Sequence, residues 1–275
     1  MPNKLELALL GTVVIRREGL PATDLRSRKA QALLCYLAVT GRPHSRPALA
    51  GLLWGGMPET NARMNLSKAL SDLRRSFGDH LTTTRQTIGF NRDSDYWLDV
   101  EALEANMNSA SARAPVKAME EAIELYRGDF LEDLYVRAAP EFEVWVLAQR
   151  ARLRELALHA LHRLIAHYSE QGDAGRGRAI RHTTRLLALE PWREEAHRQM
   201  MSLLALNGQR SAALVQYEQC RQALADELGV DPAGETTALY EQIRDGELDR
   251  GTGRQADPLP PPRHNLPAQS TPLIG

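Results

Sequence analysis

Long apolar runs, cysteine and catalytic signatures are what this 275-residue chain has least of. No stretch of about 18 apolar residues occurs, and the N-terminus has no charged-then-apolar leader pattern, which argues against a membrane span or a secretory signal. A cytoplasmic protein with no membrane partner is the expectation. The two cysteines, Cys35 and Cys220, lie far apart in helical patterns without C-x-x-C or Cys/His spacing. Both read as small buried hydrophobes in a reducing compartment. No G-x-x-x-x-G-K-[ST] phosphate loop is present, and no Ser/His/Asp or Cys/His grouping comes with a supporting motif, so an enzyme is not expected. The run Gly172-Asp173-Ala174-Gly175-Arg176-Gly177 follows a helical rather than a strand pattern and reads as a long interhelical turn. His159 and His162 have an i, i+3 spacing that metal ligands can use, with His167 further along the same helical stretch, but no carboxylate or cysteine partner accompanies them. Solvent-facing histidines are the plainer account, and neither a metal nor a cofactor is expected.

What is present is an ordinary globular composition, 43% hydrophobic and 25% charged, in a length that suits roughly two domains. The formal net charge is only -1, yet the charge is unevenly placed. Up to Asp95 there are 14 Lys and Arg against 8 Asp and Glu, a balance of +6, which leaves -7 for the remainder. The first third can therefore approach a polyanion that the rest would repel.

Leu5 to Leu10 and Thr12 to Arg17, hinged at Gly11 and closed by a turn at Gly19-Leu20-Pro21, read as two short strands. A helix follows from Ser27 as N-cap, with Ala30, Leu33, Leu34, Leu37 and Ala38 on one side and Gly41-Arg42-Pro43 ending it. Another begins near Ser45, tolerates Pro47 in its first turn and runs to Trp54, where Gly55-Gly56-Met57-Pro58 breaks it. The third, Asn61 to Phe77, is the most informative. Leu66, Ala69, Leu70, Leu73 and Phe77 make its apolar stripe, while Arg63, Asn65, Lys68, Ser71, Arg74 and Arg75 supply hydrogen-bonding and cationic groups suited to phosphate and base-edge contact. A basic helix face is more often merely solvated, but three helices in this order, the third basic, match a helix-turn-helix variant. Leu81 to Thr84 and Ile88 to Phe90 then flank a polar tip as a hairpin, a wing whose Arg85 and Gln86 either reach the DNA backbone or minor groove or simply face solvent.

From Asp99 the pattern is helical. Asp99 caps one helix, Pro115 opens another through Met119, Ala122, Ile123 and Tyr126, and a long one runs from about Pro140 to Ser169. Gly208, Ala213 and Tyr217 have the offsets of a 34-residue tetratricopeptide unit, giving one good helical pair from Ala196 to Leu228 and a looser one from Leu153 to Glu190. A last helix spans Ala233 to Asp245, and beyond Arg250 the Pro258, Pro260, Pro261, Pro262 and Pro267 mark a linker.

The stretches Leu9-Leu10-Gly11, Arg28-Lys29-Ala30-Gln31-Ala32-Leu33-Leu34, Leu52-Leu53-Trp54-Gly55, Leu73-Arg74-Arg75 and, above all, Tyr126-Arg127-Gly128-Asp129-Phe130-Leu131 identify a likeness. Over about residues 1–248 the chain resembles the antibiotic-regulatory-protein (SARP) type of bacterial transcriptional activator: an OmpR-type winged helix followed by a bacterial transcriptional activation domain. The resemblance implies an activator that binds promoter direct repeats near the -35 region, often as a dimer, and recruits RNA polymerase through its sigma factor and β flap. It also makes the loop Gly55, Gly56, Met57, Pro58, Glu59 and Thr60 similar to the polymerase-contacting loop of related winged helices. Many relatives carry Arg where this chain has Asp72, which could accept a hydrogen bond from cytosine N4 or pair with Lys68 or Arg75. Residues 265–275 resemble the linker that enters an ATPase domain in larger members.

The expected fold is mainly α: an N-terminal α/β winged helix-turn-helix over 1–98, an all-α, tetratricopeptide-like domain over 99–249, and a linker over 250–275. The expected function is transcriptional activation, for secondary-metabolite or related gene clusters, with Arg28 added to the DNA-contacting set as a backbone clamp at the start of the first helix. The rival is a tetratricopeptide-like scaffold whose winged helix contacts protein instead of DNA.

Overall fold

Leu5 and Leu7 alternate with Glu6 so that one face of β1 (Leu5–Ala8) is fully buried, and this strand is the centre of the N-terminal sheet. In the computed structural model, which describes residues 4–23, 25–108 and 115–247, β1 pairs antiparallel with β2 (Val14–Arg17). Leu20–Pro21, expected in a turn, instead forms β3 on the outer side of β2, because the reversal is made in two residues by Glu18 (φ 54°) and Gly19 (φ 79°). On the other side of β1 lies β7 (Tyr96–Leu98), parallel to it and absent from the sequence reading, completing the order β3-β2-β1-β7.

Three helices cover the next stretch. In α1 (Arg28–Thr40) the Ser27 hydroxyl accepts the Ala30 N–H at 3.3 Å, and Gly41 closes the C-terminus at φ 62°, as the caps predicted. In α2 (Arg46–Trp54) Ser45 caps in the same way, but His44–Ser45 is also β4, a two-residue strand that the sequence reading missed. The basic helix, α3 (Glu59–Phe77), starts two residues earlier than expected, so Glu59 and Thr60 belong to its first turn and not to the loop before it. A short 3-10 turn at Gly78–His80 leads to β5 (Leu81–Thr83) and β6 (Thr87–Phe90), which pair antiparallel as the expected wing, with β4 on the far side of β6.

The remainder is helical: α4 (Asp99–Asn108), α5 (Val116–Leu125), α6 (Pro140–Glu170), α7 (Asp173–Leu189), α8 (Glu194–Leu206), α9 (Arg210–Leu228) and α10 (Gly234–Asp245). The chain divides into two compact units, residues 1–186 and 187–275. In the second, α8 packs along α9 and α10 closes the core of Met201, Ala205, Ala213 and Ile243, with Tyr217 stacked on Tyr240 at 4.3 Å.

The glycine run at 172–177 departs from expectation. Only Gly172 (φ 58°) serves the turn, and α7 begins at Asp173. Gly175 is a buried helical position where a Cβ would lie 2.1 Å from the Tyr168 carbonyl, so its glycine reflects close approach of backbone and not loop length. Cys35 and Cys220 are buried and unpaired, their thiols pushed up by burial to about 12 and about 11, which makes them inert. No helix among the described residues is long and apolar enough to cross a membrane. The proline-rich tail lies outside the described residues.

Candidate nucleic-acid interface

The inner face of α3 is dry: Leu66, Ala69, Leu70, Leu73 and Phe77 are each 5% exposed or less. The outer face presents Arg63, Lys68, Ser71, Arg74 and Arg75 to solvent, as the periodicity predicted, together with two residues that the reading omitted. Met64 is 63% exposed, and Ser67 is exposed with its hydroxyl donating to the Arg63 carbonyl at 2.9 Å. Ser67 is legible from its offset of four from both Arg63 and Ser71, whereas Met64, being apolar, carries no hydrogen-bonding signal in the sequence.

The charges on this face are held unequally. Arg63 pairs with Glu59 at 2.5 Å and Arg75 with Asp72 at 2.8 Å, which selects Arg75 from the partners considered for Asp72. Exposed helical pairs of this kind contribute only about 0–1 kcal/mol, so a phosphate can compete for either arginine. Among the described residues, Lys68 and Arg74 have no carboxylate within 4.0 Å. Asn65 is half-buried at the edge of the face, where its side-chain amide donates to the Met57 sulfur at 3.3 Å.

On one flank of α3 the wing is fixed at its tip. The Thr84 hydroxyl accepts the Gln86 and Thr87 N–H groups at 3.1 and 2.8 Å, the Arg46 N–H donates to the Gln86 carbonyl, and the Arg46 guanidinium donates to the Thr84 carbonyl at 3.2 Å. Arg85 and Gln86 are exposed at that tip. Between wing and helix is a cleft of about 570 Å³ whose polar lining is Ser45, Arg46, Arg63, Ser67, Arg85 and Gln86. Arg46 was missed because nothing local in its sequence says that the wing returns to the start of α2.

On the other flank, Arg26, Ser27, Lys29, Asn65, Lys68 and Asp72 border a second cleft of about 440 Å³ beside Trp54. Lys29 sits 5.2 Å from the centre of the Trp54 ring and donates to the Leu53 carbonyl, and burial lowers the pKa of its ammonium. Arg28 is not brought to either cleft; its guanidinium donates to the Asp133 carbonyl at 2.8 Å. Gly55, Gly56, Met57 and Pro58 form an exposed loop that continues into the exposed Glu59 and Thr60 of α3. His159 and His162 are exposed, and no group of three metal-ligating side chains is found among the described residues.

A helix with a cationic outer face, a wing beside it and a helical region after it make the chain a winged helix followed by an all-α region. Residues 98–244 match the bacterial transcriptional activator domain, and the chain belongs to that family, in the SARP-type arrangement that the sequence resembled. It is 28% identical to the transcriptional regulatory protein MoaR1 of Mycobacterium tuberculosis, over 87% of this chain and 76% of that protein. It is 26% identical to the regulatory protein DnrI of Streptomyces peucetius, over 93% of this chain and 97% of that one. Among solved structures, Mycobacterium tuberculosis EmbR in complex with a low-affinity phosphopeptide is similar in fold, with a TM-score of 0.58 and 24% identity; the match covers 88% of this chain and 65% of the EmbR chain. The family is one of transcriptional regulators and not of enzymes.

Proposed function

We propose that this protein activates transcription by binding promoter DNA through α3 and the wing, and by recruiting RNA polymerase through the loop before α3 and the first turn of that helix. The observation that carries the reading is the outer face of α3: Lys68 and Arg74 lack carboxylate partners among the described residues, and a cation-lined cleft lies on each side. In the major groove, Arg63, Asn65, Lys68, Ser71, Arg74 and Arg75 divide between base edges and phosphates, while Arg85 and Gln86 touch the backbone with the wing. Two copies occupy direct repeats near the -35 element, in the cytoplasm, where residues 55–60 meet the sigma factor and the β flap. Residues 1–98 supply the DNA grip and 99–249 the contacts with partners, and the genes controlled are those of a secondary-metabolite or related cluster.

The test is fluorescence anisotropy of the chain on duplexes from promoters beside its own gene, against random duplex, at two salt concentrations. Sequence-selective binding that weakens steeply with salt is expected. Equal affinity for both duplexes at low salt would leave α3 without a reading role and the proposal without its basis.

A further inference from the structure

The segment that carried the strongest family resemblance, Tyr126 to Leu131, takes no part in the DNA face. It crosses the end of the N-terminal sheet instead. The Leu131 N–H donates to the Leu9 carbonyl at 2.8 Å, the Gly11 N–H to the Asp129 carbonyl at 3.0 Å, and Leu10 bridges antiparallel to Phe130. Gly128 lies so close to this crossing that a Cβ on it would be 3.0 Å from the Gly11 Cα, and Gly11 itself has φ 96°. Gly11 needs glycine for its positive φ, while at Gly128 a side chain would crowd the Gly11 Cα and displace the Glu132 carboxylate, whose Oε2 would lie 2.5 Å from the Cβ.

The crossing is clamped from three directions. From α4, the fully buried Asp99 uses one carboxylate oxygen to accept the Leu9 N–H at 2.8 Å, the Leu10 N–H at 3.0 Å and the Arg127 guanidinium at 3.1 Å. From α6, Arg150 donates to the Phe130 and Leu131 carbonyls at 2.8 and 2.9 Å. From α1, Arg28 holds the Asp133 carbonyl, while the Asp133 carboxylate takes the Val13 N–H at 2.9 Å. Aromatic rings complete the contact: Trp145 of α6 meets Tyr36 of α1 at 4.8 Å and Phe130 at 5.5 Å, both edge-on. At the start of the helical region there is likewise no spacer, because β7 is hydrogen-bonded into the sheet and runs directly into α4.

From this geometry we infer that Gly11, Asp99, Gly128 and Arg150 are positioning residues. They lock α4–α6 to the winged helix at one angle, and activation depends on that angle independently of affinity for DNA. The inference rests on the function proposed above, since it concerns how a DNA-bound copy presents its other surfaces to polymerase. An interlocked joint has discrete arrangements rather than a continuous range, so opening it removes the defined presentation without altering α3.

The test compares the full chain with Gly128→Val, whose branched side chain crowds the Gly11 Cα at the crossing, and Arg150→Ala, which deletes two donors from the α6 side and adds no atoms. Amide exchange at Leu9, Gly11 and Leu131 reports opening of the joint, anisotropy on the promoter duplex reports DNA affinity, and run-off transcription at saturating protein reports activation. Expected are exchange faster by about tenfold or more, affinity within about twofold of the parent, and maximal transcription lower by about fivefold or more. A variant that was merely less stable would regain full transcription at saturation, so the split between affinity and maximal activity separates positioning from general destabilisation. Full transcription from a variant whose joint exchanges fast would overturn the inference, and so would parallel loss of affinity and transcription. Should circular dichroism show Gly128→Val unfolded, Arg150→Ala carries the test alone. A parent chain that neither binds selectively nor activates sinks the proposed function itself, and that outcome is read before any variant is compared.

Discussion

Cationic side chains are used differently in the first third and in the helices after it. On and around α3, Arg63 and Arg75 are paired within the helix, but Arg26, Arg46, Lys68, Arg74 and Arg85 have no carboxylate within 4.0 Å among the described residues. From α4 onward the common arrangement is an arginine tied to an acid, as in Arg127–Asp99, Arg152–Glu104, Arg193–Glu190 and Arg221–Glu218. Both regions are helical and both present charge to water, so the contrast is not one of fold. Exposed ion pairs add little stability, and neither does leaving them unmade. What the difference sets is availability: an unpaired guanidinium is a donor waiting for an anion, whereas a paired one already has its acceptor.

The largest effect that would sharpen this contrast is on the inside of α3. Leu73→Ala, at a position with no exposed surface, is expected to cost about 2–5 kcal/mol of unfolding free energy in urea. One residue further, Arg74→Ala should leave that free energy within about 0.5 kcal/mol and weaken specific DNA binding by about 1–3 kcal/mol. Equal weakening on specific and random duplexes would instead make Arg74 a phosphate contact. Arg85→Ala on the wing is expected to lower affinity for all sequences alike and flatten the slope of log K against log salt by about one unit. An unchanged slope would remove the wing tip from the interface. The smallest effect belongs to a paired arginine of the second unit: Arg221→Ala should alter stability by no more than about 0.5 kcal/mol and leave DNA binding untouched. A clear loss of DNA affinity there would erase the distinction between the two regions.

Much of the winged helix was legible because its signals are local. Ser27 and Gly41 mark the two ends of α1 by cap chemistry, and the three- and four-residue recurrence of Leu66, Leu70, Leu73 and Phe77 separates the two faces of α3. The wing was readable from β-branched residues around a polar tip. What escaped is what depends on distant partners. Tyr96–Leu98 is too short to announce a strand and acquires its pairing from Leu5–Leu7, some ninety positions away. Arg28 sits in the run that the resemblance singled out, yet its acceptor is a carbonyl at Asp133. The glycines at 172–177 suggested a loop because spacing alone cannot distinguish a residue that bends the chain from one that lets another backbone pass, and Gly175 is of the second kind.

The parallel pairing of β1 with β7 also imposes an order on synthesis. Leu5 is made some ninety residues before its partner strand ends at Leu98, and the crossing segment that covers Leu9 to Gly11 comes only with residues 126–133. At about 5–20 residues per second, roughly 6 to 26 seconds separate the synthesis of Leu5 from that of the crossing segment. The nascent chain therefore carries an incomplete sheet edge until β7 and then the crossing segment at the start of the activator domain have been made.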